Sequence, residues 1–342
     1  MGLTHEAVAE DPSPHRENGP HLTIWAVSDG RVGIEAQVLG LAEAVGRQRP
    51  AKIVLKRIGW KWGLGRLPTS LIPFPRLTVK ADSPIAAPWP DIWIGAGRAS
   101  LPLSRRMRRW SGGKAFVVQT QAPRGPLGAF DLVVPPAHDV LTGPNVFAIV
   151  GAPNRMNDAG LSRDLARFRP RIDPLPQPRV ALIVGGKSGS HDLGPARARA
   201  MAAEVAAAVS QVGGSLLVSF TRRTPRAAQR ILTEGLSGVP GWIWDGEGDN
   251  PYFAFLAAAD IILVTEDSTN LATDAATTGK PIHVLAMDGG GRKFDRFHQD
   301  LRRRGIARPF TGVLASWTYP PLDETNRAAS ELLRRFDMHL RG

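Results

Sequence analysis

The run Ile261-Ile-Leu-Val264, followed at once by Thr265-Glu-Asp-Ser-Thr-Asn270, constrains the fold more than any other stretch of the chain. Four apolar, mostly β-branched residues predict a short strand covered on both faces, as in a parallel sheet. The burst of carboxylates and hydroxyls then falls at the strand's carboxyl end, where open α/β sheets place their ligand crevice. Asp267 or Ser268 can cap the helix that follows, and Gly279 with Pro281 ends it. On that helix Asn270 and Asp274 share a face one turn apart. Acidic residues also favour a helix amino end with no ligand involved. The grouping of Glu266, Asp267, Ser268 and Thr269 directly behind a buried strand nevertheless points to a binding site, one that reaches Asn270 and Asp274 along the helix.

The same alternation recurs on both sides of a proline-rich stretch. Leu22–Val27 predicts a strand that ends in Ser28-Asp-Gly30, and a helical pattern follows through Gln37 and Leu41 to Gly46. Ile53–Leu55, Ile92–Ile94, Phe116–Val118, Leu132–Val134 and Val146–Val150 each read as further buried strands. The Trp and Arg of Trp60–Arg66, ahead of a proline-rich loop to Pro90, can form a surface patch that touches lipid or acceptor, but a loop packed by its own aromatics is the reading preferred. Gly95-Ala-Gly97 opens a basic helix, and anion binding and close helix–sheet packing explain its glycines equally well. His138 beside Asp139, just past a strand end, has the makings of a general base.

Four prolines fall between Pro170 and Pro178, and the alternation then restarts with Val180–Val184. Gly185-Gly-Lys-Ser188 follows, without the spacing of a Walker A motif. Backbone N–H groups there, with Lys187, suit a diphosphate. The strand Ser215–Phe220 delivers Thr221-Arg-Arg-Thr224, whose guanidinium groups match phosphate oxygens through paired hydrogen bonds. Trp242–Trp244 is the next strand, and Asn250-Pro-Tyr252 opens a helix beside a loop able to meet a nucleobase edge. Cations at two strand ends suit a diphosphate, and the carboxylates of Glu266 and Asp274 suit sugar hydroxyls. A nucleoside-diphosphate sugar needs both sets.

The fold class expected is α/β, with two Rossmann-like doubly wound domains facing a cleft. The expected divisions are a disordered tail at 1–20, a first domain at 21–168, a linker at 169–179, a second domain at 180–318 and a terminal segment at 319–342. There is no cysteine, and the eight histidines lack zinc-ligand spacing, so neither a disulfide nor a transition-metal cofactor is expected. The formal net charge of +12 admits nucleic acid, an anionic membrane surface or a phosphorylated substrate as partner. The basic residues are dispersed and no nucleic-acid module is evident, so nucleic acid is not expected. There is no apolar run of about 18 residues to span a membrane and no signal-peptide core at the start. A cytoplasmic chain, peripheral on the inner face of a membrane, fits this composition.

Several of these segments together resemble the plant elongated-mitochondria (mitochondrial fission) family and its bacterial homologues. They are Trp25-Ala-Val-Ser-Asp-Gly-Arg-Val-Gly33 with Gln37, Gln121-Ala-Pro123, Pro135-Pro-Ala-His-Asp139, Thr221-Arg-Arg-Thr-Pro225, Asn250-Pro-Tyr252, and Glu266-Asp-Ser268 running on to Gly279-Lys-Pro281. Glu266 and Asp274, separated by seven residues, are also similar to the paired carboxylates of GT-B glycosyltransferases, although Asp274 stands where Glu is usual. The resemblance covers about residues 22–305. It implies a GT-B-like, metal-independent glycosyltransferase whose terminal helix crosses back to the first domain. In that reading Gly185, Gly186, Lys187, Ser188, Thr221, Arg222, Arg223 and Thr224 hold the diphosphate, and Asp274 holds ribose hydroxyls. Glu266 and Asp267, with Ser268, Thr269 and Asn270 beside them, meet the sugar or its phosphate. Asp29 or His138 deprotonates an acceptor, which the resemblance leaves as lipid-linked or part of the envelope. Two alternatives stand beside it: a nucleotide-sugar epimerase on the same fold, and a non-catalytic surface protein on anionic lipid, as the plant relatives are described in mitochondrial division.

Overall fold

The computed structural model describes residues 21–341, and the expected tail at 1–20 lies outside them. The first lobe runs β1 (Leu22–Ser28), α1 (Val32–Gln48), β2 (Ala51–Trp60), α2 (Pro75–Thr78), β3 (Val79–Ala81), β4 (Ile92–Ala96), α3 (Gly97–Trp110), β5 (Phe116–Thr120) and β6 (Leu132–Val134). Helix α4 (Asp158–Ile172) leads into β7 (Arg179–Val184), β8 (His191–Asp192), α5 (Pro195–Gln211), β9 (Ser215–Phe220), α6 (Arg226–Leu236) and β10 (Gly241–Ile243). The chain continues with α7 (Tyr252–Ala258), β11 (Ile261–Thr265), α8 (Thr269–Ala276), β12 (Ile282–Leu285), β13 (Asp288–Gly289), α9 (Arg292–Arg303), β14 (Ala307–Pro309) and α10 (Glu324–His339).

Both lobes use one strand order. The sheets read β3-β2-β1-β4-β5-β6 and β10-β9-β7-β11-β12-β14, the doubly wound order in which the chain reverses direction beside its first strand. The long strands are parallel, and only β3 runs antiparallel to its neighbour β2 within these two sheets. Because successive side chains point to opposite faces, β1 sends Ile24 and Ala26 into one core and Trp25 and Val27 into the other. Strand β11 does the same, with Ile262 and Val264 on one face and Ile261 and Leu263 on the other. This two-sided burial is why its apolar run has no polar alternation.

Four elements differ from expectation. Val146–Val150 makes only isolated bridges, Val133 to Val146 and Pro136 to Ile149, and is not a strand. The chain crosses between lobes at 150–157, ahead of the expected linker. There Val150 N–H donates to Glu324 at 2.7 Å and Asn154 N–H to the Thr325 hydroxyl at 3.0 Å. Helix α4 then packs Leu165 and Phe168 against Trp242 and Phe255, so 158–168 lies on the second lobe. Arg169–Ile172 forms the last turn of α4 with Pro170 inside it, at the cost of the bond a backbone N–H there would make to the Ala166 carbonyl, and only the residues after it are linker-like. The segment after Trp60 is not closed over its own aromatics, since Trp62 and Phe74 are 81% and 75% exposed.

The glycines of Gly95-Ala-Gly97 answer to packing. A Cβ on Gly95 would stand 2.6 Å from the Ser104 hydroxyl and 2.8 Å from Gln119, and Gly97 has a φ of +71°. Helix α10 lies on α1 and contributes Ala328, Ala329, Leu332, Leu333 and Phe336 to the first lobe's core.

Candidate functional site

The reversal of strand order puts the crevice of the second lobe between the carboxyl ends of β7 and β11. Its floor is a closed hydrogen-bond knot. Asp267 is 3% exposed. It accepts from Gly186 N–H at 3.0 Å, from the Thr265 hydroxyl at 2.7 Å and from the Arg223 guanidinium at 2.7 Å. Gly185 N–H donates to the Thr265 hydroxyl at 2.7 Å, and the Thr224 hydroxyl donates to the Val184 carbonyl at 3.0 Å and also to the Gly185 carbonyl. A Cβ on Gly185 would stand 2.1 Å from Asp267 Oδ1, and one on Gly186 would stand 2.2 Å from the Arg223 carbonyl.

This corrects part of the expected ligand set. The N–H groups of Gly185 and Gly186 point inward, at Thr265 and Asp267, and not at a diphosphate. Asp267 is buried under that turn, and Thr224 ties β7 to β9. The Thr221 hydroxyl faces Thr224 at 3.3 Å. Ser188 accepts from the N–H groups of Ser190 and His191, which shapes the turn. Above the knot, Lys187 and Arg222 stay exposed, with Lys187 in a loose contact of 3.4 Å to Asp192. Glu266 is held from the segment after β12 and from α9: its carboxylate accepts from Met287 N–H at 2.5 Å and its carbonyl from His298 at 2.8 Å.

Helix α8 carries the rest. Ser268 is its N-cap and accepts from Leu271 N–H at 3.4 Å. This amino end faces the amino end of α1 across the lobes, since a Cβ on Gly33 would stand 3.1 Å from the Asn270 amide. One turn further, Asp274 is half-buried and accepts from the Tyr252 hydroxyl at 2.9 Å. Burial pushes its carboxyl up to about 7, opposed by the hydrogen bonds from Tyr252 and Asn154. The Tyr252 hydroxyl is raised in turn, first by burial and then by the charge of Asp274. The crossover presses on the same helix: Gly151 has a φ of +74°, and a Cβ there would stand 1.9 Å from the Thr273 hydroxyl.

On the first lobe, Asp29 sits at the amino end of α1 in an ion pair with Arg31 at 2.7 Å. His138 is 7% exposed and packs edge-on against Phe297 of the second lobe. Burial first, and the nearby Lys293 second, lower its imidazole to about 4, against a raising effect of Asp139. It is therefore neutral near pH 7, and its Nε2 has no hydrogen-bond partner among the described residues. Asp139 bridges the lobes to Lys293 at 2.7 Å. The structure thus sets Asn270 opposite the amino end of α1, holds Asp274 against Tyr252, and seats His138 in the packing between lobes.

A sequence model of the mitochondrial fission ELM1 family matches residues 32–336. The chain belongs to that family. Mitochondrial fission protein ELM1 of Arabidopsis thaliana is 30% identical over 286 residues, covering 76% of this chain and 65% of the plant protein. The chain thus spans less than two thirds of that relative's length. Uncharacterized protein RP120 of Rickettsia prowazekii (strain Madrid E) is 24% identical over 357 residues, covering 90% of this chain and 97% of that protein. Among solved structures, a protein described as a UDP-N-acetylglucosamine 2-epimerase from Listeria monocytogenes superposes with a TM-score of 0.54 at 13% identity, over 93% of this chain and 90% of that one. The UDP-GlcNAc 2-epimerase of Methanocaldococcus jannaschii, in complex with UDP-GlcNAc and UDP, gives 0.51 at 11% identity, over 92% and 99%. The ELM1-family chain has the GT-B fold of these proteins.

The ELM1-type Gly-Lys-Pro segment is a scaffold in this chain. Lys280 donates to the carbonyls of Leu256, at 2.9 Å, and Ala257, closing the carboxyl end of α7. Burial lowers its ammonium to about 8. Lys280→Met is expected to cost about 1–3 kcal/mol in a denaturant titration, through carbonyls left unpaired, and to leave ligand affinity unchanged. Sequence reasoning missed Asn154 and the partner role of Tyr252. The aromatic at Tyr252 was visible as a helix start, but nothing local ties either residue to Asp274.

Proposed function

We propose that the protein binds a nucleoside-diphosphate sugar in the interlobe cleft and transfers the sugar to an acceptor hydroxyl. One observation carries this reading: the amino end of α8 faces that of α1 across the cleft, with the Asp274 carboxyl one turn along. A helix amino end favours an anion through its free N–H groups and dipole. The diphosphate sits at Ser268, Thr269 and Asn270, with Lys187 and Arg222 as exposed cations nearby on the same lobe. Asp274, ionised, accepts from ribose hydroxyls. The one protein of like fold cited above in complex with UDP-GlcNAc and UDP is consistent with this class of ligand.

In the transfer, the bond between the sugar's anomeric carbon and the diphosphate oxygen breaks as the acceptor oxygen bonds to that carbon. The negative charge that gathers on the leaving diphosphate is met by the helix end and the cations, which stabilise the transition state more than the ground state. The acceptor proton goes to a base on the first lobe. Asp29, partly exposed at the amino end of α1, is open to an acceptor, whereas His138 is buried against Phe297.

Isothermal calorimetry with UDP-, GDP-, ADP- and CMP-sugars tests the reading, and micromolar binding of one of them is expected. Uniform failure to bind overturns it. A nucleotide-sugar epimerase uses the same ligand without an acceptor, and two proteins of like fold are described as such. Proton NMR of the bound sugar after incubation without acceptor separates the two, because only an epimerase yields a new anomer pattern.

A further inference from the structure

The loop that follows β2 breaks the rule that large apolar side chains are tucked away, and breaks it several times in one place. Trp62, Leu71, Phe74 and Leu77 are 81%, 63%, 75% and 70% exposed. Scattered single exposures are ordinary, whereas a contiguous cluster marks an interaction surface. Two of the four also hold unfavourable backbone: Trp62 has a φ of +50° and Phe74 one of +39°. Bulky residues in the left-handed region are outliers that persist only where the surroundings impose them. Here the surroundings do. Arg98 of α3 donates to the carbonyls of Gly65, Arg66 and Leu67, and Lys61 donates to the Leu77 carbonyl at 3.0 Å. The loop is therefore pinned from beneath with its aromatic tips outward.

The two segments that build this face carry charge of one sign. No acidic residue occurs between Glu43 and Asp82, nor between Asp91 and Asp131. Those intervals supply Lys61, Arg66, Arg76 and Lys80 from the loop, and Arg106 and Arg109 from α3. Beside the tips lies a hollow of about 720 Å³ bordered by Phe74, Arg76, Leu77, Arg106, Arg109 and Trp110. A protein partner complementary to such a face would need an acidic rim around an apolar socket. An anionic bilayer offers both at once: negative head groups for the arginines and lysines, and an interfacial layer where indole and phenyl rings are stable.

We propose that this face, formed by residues 61–80 and the outer side of α3, docks the first lobe on an anionic membrane surface. The docking stands independently of the nucleotide-sugar reading and requires no ligand in the cleft. Flotation of the full chain with phosphatidylcholine vesicles, with and without phosphatidylglycerol, tests it. Binding is expected only to the anionic vesicles and is weakened by salt. The triple variant Trp62→Ala, Phe74→Ala, Leu77→Ala is expected to lose about tenfold or more in vesicle affinity while keeping its thermal melt, because these side chains are exposed. The charge variant Arg66→Glu, Arg109→Glu is expected to lose binding by a similar factor. Failure of the wild-type chain to bind anionic vesicles overturns the proposal, as does undiminished binding by both variants or equal binding to neutral vesicles.

Discussion

Asp267→Ala is expected to remove about 3–5 kcal/mol of stability from the second lobe. Truncation leaves the buried Gly186 N–H and Thr265 hydroxyl without an acceptor and reduces the Arg223 guanidinium to solvent and a 3.4 Å contact with the Lys187 carbonyl. Each buried donor left without a partner carries its own desolvation cost. Gly185→Ala reaches the same knot from the other side, since its Cβ would stand 2.1 Å from Asp267 Oδ1 and displace the carboxylate. The two substitutions are therefore expected to be non-additive, with the double variant close to the worse single one. Urea titration of all four proteins, followed by tryptophan fluorescence, checks this. A loss under about 1 kcal/mol for Asp267→Ala would show that the knot is ornamental.

The second large effect is on pH dependence. The Asp274 carboxyl stands near 7 in the folded chain, against 3.8 for its ordinary value. Its proton is therefore retained on folding between those limits, so the folded state binds more protons there and stability falls as pH rises from about 4 to about 7. Asp274→Asn removes that fall and is expected to be the more stable protein at pH 8, by roughly 2 kcal/mol. Ligand binding runs the other way. If ionised Asp274 accepts from ribose hydroxyls, nucleotide-sugar affinity rises with pH and levels off above about 7, falling about tenfold per unit below it. The Asn variant is expected to bind more weakly with a flat profile. Calorimetry across that range decides it, and a wild-type affinity indifferent to pH would remove Asp274 from the ligand.

Much of the fold was legible because burial on both faces of a parallel sheet leaves an unmistakable mark, as in Ile261–Val264 and Val180–Val184. Val146–Val150 leaves the same mark yet only brushes the sheet edge, because hydrophobicity reports burial and not ladder pairing. The end of the first lobe was misplaced because Pro170 reads as a helix stop, whereas α4 runs through it, the lost bond to the Ala166 carbonyl being outweighed by the packing of Leu165 and Phe168 on the second lobe. The site was half legible. The α8 amino end and Asp274 follow from helix spacing alone. Gly185-Gly186 did not, since a turn that turns its N–H groups outward to an anion and one that buries them against Asp267 share one sequence. For the loop after Trp60 the less favoured of two readings, a surface patch, is the one its exposed Trp62 and Phe74 fit, since nothing in the identity of an aromatic residue says which side of a loop it faces.

The seating of α10 on α1 has a consequence for synthesis. Leu332, Leu333 and Phe336 close a core whose other wall, Val38, Leu41 and Val45, leaves the ribosome some three hundred residues earlier. Until the late helix emerges, the early lobe holds a bare greasy flank beside a nascent neighbour. A ribosome-stalled chain ending at 320 should accordingly recruit chaperones, and one released at 341 should not.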